Sequence, residues 1–209
     1  MLTGKIRRMN NALVQPGHRV CEYRLIIPLS ETLQKAITQI RRKLHDKYRL
    51  SMPIDWKPSL TVLHCHAYEG TEPKLIERLQ QVAIRTNSFK TELRNFGTIS
   101  AHTVYVDVAT RLPFQELARE LKAVRSLIKI PDHDPHFVSE PQVPIAQGLK
   151  PFQFTRMWMD CEHTVFTGEF MANHLVLEKR SIANGHFEEI QVFDFLSLRH
   201  LIKQGTLFG

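Results

Sequence analysis

The sequence has little cysteine: Cys21, Cys65 and Cys161 are the only three in 209 residues. An odd number at wide spacing argues against a disulfide framework and for reduced thiols, so a cytoplasmic setting is expected. No apolar run approaches the ~20 residues that span a bilayer, so no membrane partner is expected. Met1 to Asn10 is basic, but no apolar stretch follows it, so no signal peptide is read there. Low-complexity runs and clear linkers are also missing, and the length suits one domain, or two small lobes sharing a core, over residues 21–209 after an N-terminal extension, 1–20.

Charge is present and unevenly spread. The net charge is +7, and the first hundred residues hold 17 Lys and Arg against 8 Asp and Glu. A basic half suits a polyanionic partner through counterion release, although a solvated surface accounts for the same pattern. Lys5, Arg7 and Arg8 fall in the extension, where a loose basic tail is expected.

Hydrophobic periodicity gives the element order. Glu22 to Leu29 reads as a strand closed by Pro28, and Ser30 as an N-cap. Leu33, Ile37, Ile40, Leu44 and Tyr48 repeat at helical spacing, with Lys35, Arg41, Arg42, Lys43 and Lys47 assigned to the solvated face. Trp56 to His66 alternates as a strand, which puts Ser59, Thr61 and Leu63 on one side and Leu60, Val62 and His64 on the other. Pro73 opens a helix running to about Thr86. Strands follow at Phe89 to Phe96 and His102 to Ala109, joined by a turn near Gly97. A helix opens at Arg111-Leu112-Pro113. Pro141 to Ala146 is a second Pro-led alternating strand, with Gln142 and Pro144 on one side, and with the first it reads as a matching pair of central strands. A short helix over about Lys150 to Asp160 and strands at Thr164 to Phe170, Asn173 to Lys179 and Phe187 to Phe195 complete the chain. Asn184-Gly185 signals a hairpin turn.

The two Pro-led strands carry a resemblance. Lys57-Pro58-Ser59-Leu60-Thr61-Val62 and Pro141-Gln142-Val143-Pro144-Ile145-Ala146, with Pro135-His136-Phe137 before the second and Gly148-Leu149-Lys150-Pro151 after it, resemble the two motifs of the 2H phosphoesterase superfamily. The likeness is to its 2'-5' RNA ligase and cyclic phosphodiesterase branch, over about Glu22 to Phe195. The resemblance implies an α+β fold of two pseudo-duplicated lobes. Mostly antiparallel sheets surround a central cleft, with helices outside. It also implies two His-x-Thr/Ser motifs facing each other there. In this sequence they read Ser59-x-Thr61 and Gln142-x-Pro144, and Gln147 stands where many members have arginine.

The replacements decide the chemistry. An imidazole titrates near neutrality and can take or give a proton; removing one such group typically costs ~10²–10⁴ in rate. A serine hydroxyl with no activating base and a glutamine amide cannot replace it. Pro144 has neither hydroxyl nor N–H, so its strand should lie at an edge or carry a bulge there. The reading is therefore an impaired 2'-5' RNA ligase or cyclic phosphodiesterase-like protein. It would bind RNA or a nucleotide phosphate through the motif positions together with Lys57, Tyr105, Gln147 and Lys150. No cofactor or metal is implied, and a monomer is expected. Two alternatives stand beside it: an active cyclic phosphodiesterase or ligase using His133 and His136 from the loop before the second motif, and a non-catalytic interaction scaffold. His64 and His66 share a strand face but lack further ligands for zinc. His102 reads as scaffold, and Asp107 and Glu140 read as isolated carboxylates with no visible partner.

Overall fold

Alternating burial along Val20–Pro28 makes β1: Cys21, Tyr23, Leu25 and Ile27 are buried while Glu22 and Arg24 look the other way. In this computed structural model, residues 18–50, 56–181 and 185–196 are described. The hairpin signal at Asn184 and the basic residues Lys5, Arg7 and Arg8 lie outside them.

Ser30 caps α1 (Glu31–Tyr48) as its sequence position predicts, its hydroxyl accepting from the Leu33 N–H at 3.5 Å. After β2 (Ser59–Tyr68) come α2 (Glu72–Ala83), β3 (Phe89–Ile99), β4 (Thr103–Val108) and α3 (Leu112–Leu121). The short β5 (His136–Phe137) precedes β6 (Val143–Ala146), α4 (Pro151–Cys161), β7 (Thr167–Ala172), β8 (His174–Ser181) and β9 (Glu188–Asp194).

The strands form two antiparallel sheets, ordered β5-β2-β1-β8-β9 and β6-β4-β3-β7. Leu60, Cys65, Leu75, Leu79, Leu117 and Leu121 pack where α2 and α3 cover the first sheet. Helix α1 packs on β6 and α4 on β4, covering the inward Val104, Val106, Val143 and Ile145 of the second sheet. Each sheet thus hides one face under helices and leaves a polar face open, which is the two-lobed α+β architecture expected.

Three expectations change. The turn near Gly97 is absent because β3 continues to Ile99 and turns at Ser100–His102. Gly97 is needed inside the strand: a Cβ there would stand 2.6 Å from Cζ of Tyr105, whose ring lies across it. The second motif strand, β6, is not central but lies at an edge, as expected from Pro144, and the β4–β6 register shifts beside that proline. This is the placement that proline's missing N–H requires. The third change is a bulge in β2. Leu25 pairs with Leu63 but Ile26 pairs with Thr61, so Val62 has no partner on β1.

Candidate functional site

The bulge reorganises the open face of the first sheet. With Val62 inserted, Val62 and Leu63 are both buried, and the alternation resumes one residue out of step. His64 and His66 therefore lie on the same face as Ser59 and Thr61, opposite Arg24 and Glu22 of β1. The sequence alternation alone places His64 on the reverse face, and the bulge corrects that.

Ser59 sits at the start of β2, opposite Pro28 and 5 % exposed. It lines a groove of about 840 Å³ together with Lys57, Arg24, His174, Arg180 and Phe187. Thr61 follows, half-buried on the same face. Two cross-strand ion pairs organise the floor. Arg24 donates from Nε to Glu178 at 2.7 Å, and Arg180 donates from Nε to Glu22 at 2.8 Å. Both guanidiniums lie over the Phe187 ring, 4.4 and 4.5 Å from its centroid.

Glu22 also accepts from His64 Nε2 at 2.7 Å. Burial pushes the Glu22 carboxyl upward, but hydrogen bonds from His64 and Arg180 outweigh it and hold the group below its ordinary value. Beyond His64 the rings continue: His66 meets it edge-on at 5.8 Å, and His133 lies against His66 at 4.3 Å. Burial, with the neighbouring His133, lowers the His66 pKa. His136 pairs opposite His64 across β5 and β2, so the loop histidines join the β2 pair on one face. Among the described residues no group of three or more His, Cys, Asp or Glu is arranged to hold a metal ion.

The second motif is built on the other sheet. Pro144 pairs with Tyr105, and Gln142 lies two residues earlier on the same parity. Burial raises the Tyr105 pKa, and the carboxylates of Asp107 and Glu140 add to the shift. Asp107 and Glu140 are not isolated. Arg111 donates to both Asp107 oxygens at 2.9 Å and lies 3.9 Å from Glu140. Gln147 and Lys150 are exposed at the turn into α4, where the Lys150 N–H donates to Gln153 at 3.0 Å. Of the expected site residues, Ser59 and Lys57 line the groove on the first sheet. Thr61, Tyr105, Gln142, Pro144, Gln147 and Lys150 are outside its lining. His102, in the turn before β4, is exposed.

Arg41 joins the two motif segments. Its sequence neighbours assign it to a solvated basic face, yet it is 3 % exposed. Its guanidinium donates to the Pro144 carbonyl at 3.0 and 2.6 Å and to the Trp56 carbonyl at 3.1 Å, stacking on the Trp56 ring at 3.7 Å. Burial lowers its pKa to about 10, which leaves it charged at neutrality. A signal for this exists in the sequence: position 41 lies four residues after Ile37, on the apolar stripe. The cross-strand partners Glu22, Glu178 and Arg180 have no comparable local signal.

The family model described as the 2'-5' RNA ligase superfamily matches residues 29–181. Among solved structures, Escherichia coli LigT complexed with 3'-AMP is similar at 14 % identity and TM-score 0.56, over 85 % of this chain and 99 % of that one. TT0787 of Thermus thermophilus is similar at 13 % identity and TM-score 0.60, again over 85 % and 99 %. LigT complexed with ATP gives 14 % identity and TM-score 0.53 over the same shares. No curated protein matches the sequence at a significant level.

Proposed function

The chain belongs to the 2'-5' RNA ligase superfamily, and from that premise we propose that it binds RNA or a nucleotide phosphate in the groove of its first sheet, with impaired phosphoester chemistry. The observation that carries the reading is Ser59. An imidazole is expected at the first motif position, and a buried hydroxyl stands there on the groove wall. A hydroxyl can donate to a phosphate oxygen but does not shuttle protons near neutrality. Gln142 offers an amide at the second position, with the same limit.

The surroundings support anion binding. Lys57 is an exposed cation in the groove lining, and Thr61 continues from Ser59 along the same face of β2. LigT has been crystallised with 3'-AMP, ATP and NADP+, so nucleotides occupy a protein of similar fold. Isothermal titration with adenosine monophosphate tests the reading. Binding is expected to weaken several-fold in Lys57→Ala and Thr61→Val, each of which removes one charge-assisted or neutral hydrogen bond of about 1–2 kcal/mol. Unchanged affinity in both variants, or no binding by the unaltered protein, overturns it.

A further inference from the structure

The fixed charges around the groove nearly cancel. The lining holds three cations, Lys57, Arg24 and Arg180, against two carboxylates, Glu178 and Glu189, and Glu22 beside it engages Arg180. Arg24 and Arg180 are already engaged by Glu178 and Glu22. The groups left to give this face a net positive charge are imidazoles: His64, His66, His133 and His136 beside the groove, and His174 and His186 in its lining.

We propose that His64, His66, His133 and His136 form a second phosphate subsite, displaced along β2 from Ser59, which binds a further phosphate of a nucleic-acid strand. The inference rests on the reading of the groove as a nucleotide-phosphate site and adds what holds the next part of the ligand. Thr61 and His66 pair with Ile26 and Glu22, four residues apart on β1, roughly 13 Å at about 3.3 Å per residue. One phosphate group cannot touch both, so a ligand using the whole face carries at least two.

The chemistry of the cluster suits an anion. His64 Nε2 is held by Glu22, which leaves Nδ1 directed elsewhere. His66 and His133 are in ring contact, so protonating both costs repulsion unless an anion sits against them. A phosphate oxygen relieves that repulsion and accepts from each ring N–H. The remaining charged groups nearby are Asp132 and Asp134, exposed on the His133 loop, and Asp194, opposite His174.

Binding therefore takes up protons. Affinity for the second phosphate rises as pH falls through the imidazole range, by up to about tenfold per pH unit for each proton taken up. The test compares adenosine monophosphate with a short single-stranded oligoribonucleotide at about pH 5.5 and about pH 8, bracketing the free imidazole pKa. The oligoribonucleotide is expected to bind about tenfold or more tightly than the mononucleotide at the lower pH, with the gap closing at the higher one. His66→Gln with His133→Gln is expected to close the gap at both. His133 is exposed on its loop, so His133→Gln alone keeps the fold and still narrows the gap. Imidazole NMR gives a second readout: bound oligonucleotide shifts the ring resonances of His66 and His133 but not those of His163. A gap that is independent of pH and survives the variants overturns the subsite while leaving the groove reading intact. Failure of either ligand to bind at any pH overturns both.

Discussion

Arg41 donates to the Pro144 carbonyl from two nitrogens, at 3.0 and 2.6 Å, and so fixes the edge strand of one lobe to a helix whose own guanidinium also holds the Trp56 carbonyl of the other motif segment. The bond uses the group that proline retains. Pro144 cannot donate to a ladder, but its carbonyl can accept, and a buried cation meets it there.

Replacing that cation is therefore costly. Arg41→Leu leaves the Pro144 and Trp56 carbonyls without this donor in a buried setting, and a loss of about 2–4 kcal/mol in unfolding free energy is expected. Arg41→Lys recovers only part, because an ammonium cannot present the planar fork or stack on Trp56 in the same way. Chemical denaturation measures both; equal stability of the leucine variant contradicts the assigned role.

Glu22 makes the stability of the first sheet depend on acid. Its folded pKa lies below the unfolded carboxyl value, held down by His64 and Arg180 against the opposing effect of burial. The contribution is present in full above the unfolded value near 4.5 and is lost as pH falls through the folded one. Glu22→Gln should flatten the stability profile below that point and lower stability at neutral pH. Melting temperature against pH, measured for both proteins, reads the difference directly.

Gly97 and Tyr105 form a pair that one substitution breaks and a second repairs. Gly97→Ala drives a methyl into the Tyr105 ring, at a cost of about 1–3 kcal/mol. Tyr105→Phe leaves the ring in place and should give no relief, whereas Tyr105→Ala in the Gly97→Ala background should recover part of the loss. A double-mutant cycle by urea unfolding tests this, and strict additivity contradicts the close approach.

Much of the fold was legible because it is local. Ser30 caps α1, Leu33 and Ile37 face inward at helical spacing, and β1 alternates as written; each follows from residues a turn or a strand apart. Pro144 announces an edge strand through its missing donor. What the sequence hides is long-range. The unpartnered Val62 is defined only against β1, and that single inserted residue decides which face carries His64 and His66. Arg41 reads as one more basic residue until the carbonyls of Trp56 and Pro144, 15 and 103 residues away, come within reach. Gly97 reads as a turn because a glycine needed for a neighbour's ring has the same local signature as one needed for its backbone freedom. The candidate site is half legible for the same reason: Ser59, Thr61 and Lys57 lie on one recognisable segment, while Glu22, Glu178 and Arg180 come from strands that pair across it.

The most direct test of the central claim is turnover of a 2',3'-cyclic nucleotide by the unaltered protein, followed by ³¹P NMR at neutral pH. With a hydroxyl at position 59 and an amide at position 142, the cyclic phosphate is expected to disappear no faster than in buffer while its resonance shifts or broadens on binding. Conversion of many equivalents per protein molecule, abolished by Ser59→Ala, would contradict the claim.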